Sequence, residues 1–298
     1  MRTLVVGAGA TGGHFGGLLA AAGRDVTFLV RPGRAAQLSE HGLRLDEITL
    51  TPRTVTADTL DGPFDLVLLA VKSYHLDQAL ADVAPAVGPR TVVIPLLNGM
   101  RHVDRMVAAF GSERAWGGVC MIHADVTADG RIVRMTGLQR IAFGPLTGGP
   151  ADPRVAEALS GAGFDAFATP TVVQDMWEKW VFLASLGAAT TLMRAPVGDI
   201  NRAPGGTAFG ARIAAEAMAI ATAAGHPPRP GAVKVLRDGL ATGEQMTSSM
   251  YRDMMRGEPV EVDAILGDFV AEAAKHDVPV PALSAAYTNL AIYSARLP

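Results

Sequence analysis

The stretch Val5-Val6-Gly7-Ala8-Gly9-Ala10-Thr11-Gly12-Gly13-His14-Phe15-Gly16, VVGAGATGGHFG, joins an apolar run to a helical pattern. Gly7, Gly9 and Gly12 form a G-x-G-x-x-G series at that junction, where each glycine has its own task. The first permits a tight turn, the second lets the backbone approach a pyrophosphate, and the third brings helix against strand. The N–H groups at the helix start, around Ala10, Thr11 and Gly12, would cradle the anion, which the helix dipole favours. Gly13, Gly16 and Gly17 keep the same helix narrow against the sheet. These residues nominate a dinucleotide site.

Outward from this stretch, strand-like runs alternate with helical patterns. Strands are expected at Thr3–Gly9, Asp25–Arg31, Phe64–Lys72 and Thr91–Gly99, and helices near Gly12–Ala22, Gly33–His41 and Leu76–Val87. Short Val/Leu-rich runs bounded by Gly and Pro and separated by helices describe a parallel sheet covered on both faces. Trp116–Phe143 reads as short hairpin-like strands that extend this sheet, with a turn at Ala128-Asp129-Gly130. After about Pro170 strands vanish. Helices are expected at Val172–Met193, Gly206–Ala224, Gly231–Leu240, Glu244–Arg256, Glu261–His276 and Ala282–Ser294, with GHPPRPG (Gly225–Gly231) as a rigid break. The expected fold class is α/β: an N-terminal Rossmann-type parallel-sheet domain, 1–168, followed by an all-helical C-terminal domain, 169–298.

A chain of 298 residues, 49% hydrophobic, can bury two moderate cores. Its formal net charge of -3, without a basic stripe or charge block, points to no nucleic-acid partner. The single cysteine, Cys120, excludes an intrachain disulfide and a multi-cysteine metal site. MRTLVVGAG runs straight into a strand without a signal-peptide pattern, so a reducing cytoplasm is the expected compartment. The longest apolar run, Val181–Met193, falls short of the roughly 18 to 20 residues of a membrane span and reads as a buried helix.

The end of the second strand bears on the cofactor. An NAD site places a carboxylate there, whereas this chain has Val30-Arg31-Pro32-Gly33-Arg34. The Arg31 guanidinium suits a 2′-phosphate, with Arg34 as helper, so NADP(H) is the expected cofactor. Lys72 and Asn98 stand at the carboxyl ends of the third and fourth strands, where open parallel sheets bind ligands. Lys179 lies among Met176, Trp177, Trp180, Val181 and Phe182; facing a binding site there, it would be desolvated into a usable proton donor. Ser249 and Asp253 are one helical turn apart, and Glu261 begins the following helix.

The ordered pieces GAGATG, VR at Arg31, VKSY at Lys72, NG at Asn98, WEKWVF at Lys179, SSMYRD at Ser249 and the Glu at Glu261 together resemble the ketopantoate reductase (2-dehydropantoate 2-reductase) family over essentially the full length. The resemblance implies NADPH-dependent reduction of a 2-oxo acid to a D-2-hydroxy acid in a cleft between two domains. It makes Lys179 the catalytic proton donor, Glu261 the acid that orients substrate and lysine, and Ser249 a ligand of the substrate carboxylate. Lys72 and Asn98 would contact nicotinamide, ribose and substrate, and Asp253 would orient neighbours. The chain departs from the family pattern on the lysine helix, where Leu183 and Gly187 replace two Asn residues. Leu183 would favour an apolar substituent, Gly187 would make room for it, and Thr190 would restore some polarity.

Three readings stay open. One is a ketopantoate reductase of pantothenate synthesis. Another is a diverged NADPH-dependent carbonyl reductase for a larger or more apolar 2-oxo acid or ketone, and the third is a non-catalytic NADPH-sensing module. His14 is expected at the helix surface and His123 to be structural; His102 and His226 lack metal-ligand spacing, and no metal or membrane partner is expected. The run Met246, Met250, Met254 and Met255 reads as adaptable packing, and the Ala/Met-rich half suggests a homodimer.

Overall fold

The computed structural model describes residues 1–46 and 48–297 and divides into two compact units, one of residues 1–97 and 102–173, the other of 98–101 and 174–298. In the first unit the chain runs β1 (Thr3–Val6), α1 (Ala10–Ala21), β2 (Val26–Leu29), α2 (Pro32–His41), β3 (Leu43–Leu45), β4 (Ile48–Leu50), β5 (Arg53–Val55) and β6 (Phe64–Leu69). It continues with α3 (Leu76–Val83), β7 (Val87–Pro95), α4 (Arg101–Phe110), β8 (Trp116–Val126), β9 (Ile132–Pro145), α5 (Pro153–Leu159) and β10 (Asp165–Ala168).

Five parallel strands form the first sheet in the order β5-β2-β1-β6-β7. One face buries Leu4, Val6, Val67 and Leu69 against Leu76, Leu80 and Met106 of the helices. The other buries Val5, Phe28, Leu66 and Leu68 with Phe15 and Leu19 of α1. Strand order reverses at β1, and the loops that leave β1 and β6 there are neighbours. This is the switch point at which ligands bind in open sheets.

The expected extension of this sheet is limited to one parallel bridge, Val93 to Ala115. From Trp116 onward the strands belong to a second sheet, ordered β10-β9-β3-β4 with β8 on β9; β8 and β9 are long and antiparallel, and the short β10 runs parallel to β9. Helix α1 lies between the two sheets. A Cβ on Gly16 would crowd Phe28 and Val5 of the first sheet, while one on Gly13 or Gly17 would collide with Ile132 or Leu45 of the second. His14 is therefore buried rather than at the surface, and its Nε2 is 2.8 Å from Gln139 Oε1.

The second unit holds α6 (Val172–Met193, its first two residues counted in the first unit), α7 (Val197–Arg202), α8 (Gly206–Ala223), α9 (Pro230–Ala241), α10 (Ser249–Met255), a π-helical turn (Asp263–Gly267), α11 (Asp268–Lys275) and α12 (Pro281–Ala295). Its core includes Trp180, Ala184, Ile213, Ala217, Ile220, Leu266, Phe269 and Leu283. The expected helix over Glu244–Arg256 starts only at Ser249, because the Ser248 hydroxyl caps it by accepting from Tyr251 N–H at 3.0 Å. The helix expected over Glu261–His276 starts just after Glu261 and opens into the π-turn. Among the described residues no helix is long and apolar enough to cross a membrane.

Candidate functional site

The first group of candidates surrounds the glycine loop. Gly7 has φ +96°, and a Cβ there would sit 2.9 Å from the Ala70 carbonyl oxygen. A Cβ on Gly12 would collide with the Gly7 carbonyl, so both positions require glycine. Gly9 has no neighbouring atom within 4 Å of its Cβ position and is exposed. Open space thus lies over the start of α1, beside Ala10 and Thr11, where no side chain caps the helix and no acid stands in its first turn. Orphan N–H groups at such a terminus suit an anion.

Arg31 is exposed and supplies the N-cap backbone of α2, whose first turn carries no acid. His75 lies close enough for the Arg31 charge, after burial, to lower the imidazole pKa. Arg34 is bound differently from Arg31. Its Nη2 and Nε donate to the Ala8 carbonyl at 2.9 and 3.2 Å, so it braces the glycine loop from behind. Lys72 is exposed at the carboxyl end of β6, as N-cap of a 3₁₀ turn over Ser73–His75. The preceding Val71 borders Gly7.

The second group lies in the helical unit and contains Asn98, Lys179, Leu183, Gly187, Ser249 and Glu261. Lys179, Leu183 and Gly187 follow one another at i, i+4 and i+8 on α6, hence along one face. Lys179 and Leu183 are half-buried, and Glu261 is buried at 7% exposure. The room expected at Gly187 is taken: a Cβ there would collide with the ε-methyl of Met250. Thr190 offers no spare polarity, because its hydroxyl donates to Leu186 O at 2.7 Å and pairs with Ser248 Oγ at 2.9 Å. Ser249 opens α10, while Asp253 accepts from Arg256 Nη2 at 2.7 Å.

The sequence reading missed the clamp on the start of α6. Arg229, in the proline-rich break, binds Glu178 through Nε at 2.7 Å and Nη2 at 2.6 Å, and also binds Asp175. His226 stacks on Trp177 with centroids 5.0 Å apart. Burial pushes the Glu178 carboxyl up, but the hydrogen bonds from Arg229 and Gln174 hold it below its ordinary range. The signal was the arginine itself, inside a break otherwise made of Gly, His and Pro. His123 stands where the β8–β9 register shifts, and among the described residues no group of three or more His, Cys, Asp or Glu could hold a metal.

A switch-point glycine loop on a parallel sheet, followed in sequence by a lysine-bearing helical unit, defines a dinucleotide-binding class of protein. Comparison with known proteins narrows this. The family model "Ketopantoate reductase PanE/ApbA" matches residues 3–148, and its C-terminal counterpart matches 171–294. An uncharacterised oxidoreductase, YkpB of Bacillus subtilis, is 34% identical over 99% of this chain and all of its own. A 2-dehydropantoate 2-reductase of Mesorhizobium japonicum is 28% identical over 96% of this chain and 95% of its own. The ternary structure of D-mandelate dehydrogenase with NADH and anilino(oxo)acetate superposes with a TM-score of 0.90 over 100% of this chain and 99% of that one; at 21% identity it establishes the fold. The chain belongs to the ketopantoate reductase family and is an oxidoreductase of that family.

Proposed function

We propose that the chain is an NADPH-dependent 2-oxo acid reductase that forms a D-2-hydroxy acid, with ketopantoate as the first candidate substrate. The observation that carries the reading is a half-buried lysine on α6, Lys179, in one compact unit with Asn98, Ser249 and the buried Glu261, in a chain of this family. The residues present fit the cofactor. Gly9 leaves open space for a pyrophosphate beside Ala10 and Thr11, Gly7 and Gly12 permit the close backbone packing that forms the loop, and Arg31 offers a guanidinium for a 2′-phosphate.

A reduced nicotinamide bound there supplies a hydride to the carbonyl carbon. The Lys179 ammonium donates its proton to the carbonyl oxygen as negative charge develops, so that no free alkoxide forms, and then regains a proton from water. Ser249 holds the substrate carboxylate, Glu261 orients the lysine and the substrate, and Lys72 and Asn98 line the reacting groups. The family likeness supports these roles. In this reading the enzyme works in the cytoplasm as a homodimer, which light scattering of the purified protein checks.

A second reading concerns the substrate. Beyond Lys179 the α6 face offers Leu183, then the Met250 methyl over Gly187, then a Thr190 hydroxyl already engaged. A hydroxyl on the substrate would find no partner along that stretch, which commonly costs about 1 to 3 kcal/mol. A 2-oxo acid with a hydrocarbon substituent would lose nothing there. NADPH oxidation with ketopantoate and with aliphatic and aromatic 2-oxo acids tests both readings. Lys179→Ala is expected to lower kcat by about 10²- to 10⁴-fold on the preferred substrate. Dominant turnover of ketopantoate supports the pathway enzyme, and turnover only of hydrocarbon 2-oxo acids supports the diverged one. If no 2-oxo acid is reduced, or Lys179→Ala keeps wild-type kcat, the reductase mechanism is wrong.

A further inference from the structure

Three candidate residues, Asn98, Lys179 and Glu261, come from distant parts of the chain, and the immediate neighbours of all three meet at the π-helical turn Asp263–Gly267. Trp180, next to Lys179, is 3% exposed and donates its indole N–H to the Ile265 carbonyl at 3.0 Å. Gly99, next to Asn98, has φ +79°, and a Cβ there would collide with the Ala264 carbonyl oxygen. Two residues further on, Arg101 binds Asp268, the first residue of α11. Glu261 stands two residues before the turn, and its backbone carbonyl accepts from Ile265 N–H at 3.2 Å. Asn98–Arg101, these stretches of α6 and the turn all belong to the helical unit.

The hydrogen-bond register changes inside this turn. Ile265 N–H reaches back four residues to Glu261, whereas Asp268 N–H reaches back five, to Asp263. A π-turn is an α-helix with one residue inserted, a rare single-turn geometry that is frequent at functional sites. Relaxation to α geometry would rotate everything before the turn by about 100° and move it by about 1.5 Å relative to α11. Glu261 lies on the moving side. The bond from Trp180 engages the Ile265 carbonyl of the turn, and the close approach of Gly99 covers the Ala264 carbonyl just before it.

We infer that Trp180 is a positioning residue: through its N–H on Ile265 it keeps the π-turn open and so sets the aim of Glu261, and the seat of the Asn98 loop, relative to the lysine helix. This rests on the reductase reading for its catalytic consequence. Trp180 also packs on Phe269 and Trp177, with centroids 4.7 and 5.1 Å away, so a merely structural role must be separable.

Trp180→Phe keeps a ring in that packing and removes the donor. Its kcat for the preferred 2-oxo acid is expected to fall about tenfold or more, with KM and NADPH affinity within about twofold. Amides of residues 263–268 should exchange with deuterium faster than in the wild type, while those of α8 keep their protection. Benzothienylalanine at position 180, an isostere without the N–H, is the second variant should Phe unfold the unit, and should give the same split. A folded variant with wild-type kcat, or with unchanged exchange at 263–268, overturns the inference. Failure of the wild type itself to reduce any 2-oxo acid overturns the reductase reading instead, and leaves the exchange result to decide whether Trp180 holds the turn.

Discussion

Arg31 and Arg34 are three residues apart and have different tasks. Arg34 spends two donors on the Ala8 carbonyl, whereas Arg31 is exposed, so the proposed contact with a 2′-phosphate falls to Arg31. Arg31→Ala is expected to weaken NADPH binding by roughly ten- to a hundredfold, the range of a charge-assisted hydrogen bond, and to leave NADH binding unchanged. Fluorescence titration with both nucleotides checks this, and equal losses would remove Arg31 from cofactor choice. The glycine loop was legible in the sequence because its spacing at a strand-to-helix junction is itself the signal, although the carbonyl that excludes a side chain at Gly7 belongs to the distant Ala70. Gly187 was not, since the methyl that fills its space belongs to Met250, on another helix.

Helix boundaries show the same division between local and distant causes. Val172–Met193 agrees with its reading end to end, because an unbroken apolar pattern between Pro170 and Pro196 is a local property. Helix α12 has Val280 at its N-cap and no local side-chain cap. Its cap comes from α8: the buried Glu216 carboxylate accepts from Ala282 N–H at 3.0 Å and Leu283 N–H at 3.0 Å. Glu216→Ala should destabilise the helical unit by about 1 to 3 kcal/mol, through lost bonds and orphaned N–H groups. A lower thermal midpoint with unchanged NADPH affinity is the expected result, and an unchanged midpoint would show that the cap is dispensable. The π-turn after Glu261 belongs to the same class of feature. The apolar pattern there reads as plain helix, and the bond from Trp180 that accompanies the wider turn arises only by packing.

At the scale of the whole first unit, α1 is held between two sheets, and His14 goes with it into the interior. Burial lowers the His14 pKa against the opposing hydrogen bond with Gln139, so the folded chain favours the neutral ring. A histidine with a lowered folded pKa contributes stability above its unfolded value of about 6.5. That contribution is lost as pH falls from there through the folded pKa. The thermal midpoint of the wild type should therefore drop more steeply from pH 7.5 to pH 5 than that of His14→Gln. Parallel curves would mean that His14 does not report the packing of α1.

The sequence alone determined the alternation of strand and helix, the dinucleotide loop at the end of β1, the change to an all-helical second half, and the family. Each of these is written in short-range periodicity or in spacing that a backbone must obey. Tertiary structure decided that β8 and β9 build a second sheet, that His14 is buried, that Met250 closes the space over Gly187, and that a π-turn gathers the neighbours of Asn98, Lys179 and Glu261. These depend on which distant surfaces meet, and a residue's own neighbours in sequence carry no record of that.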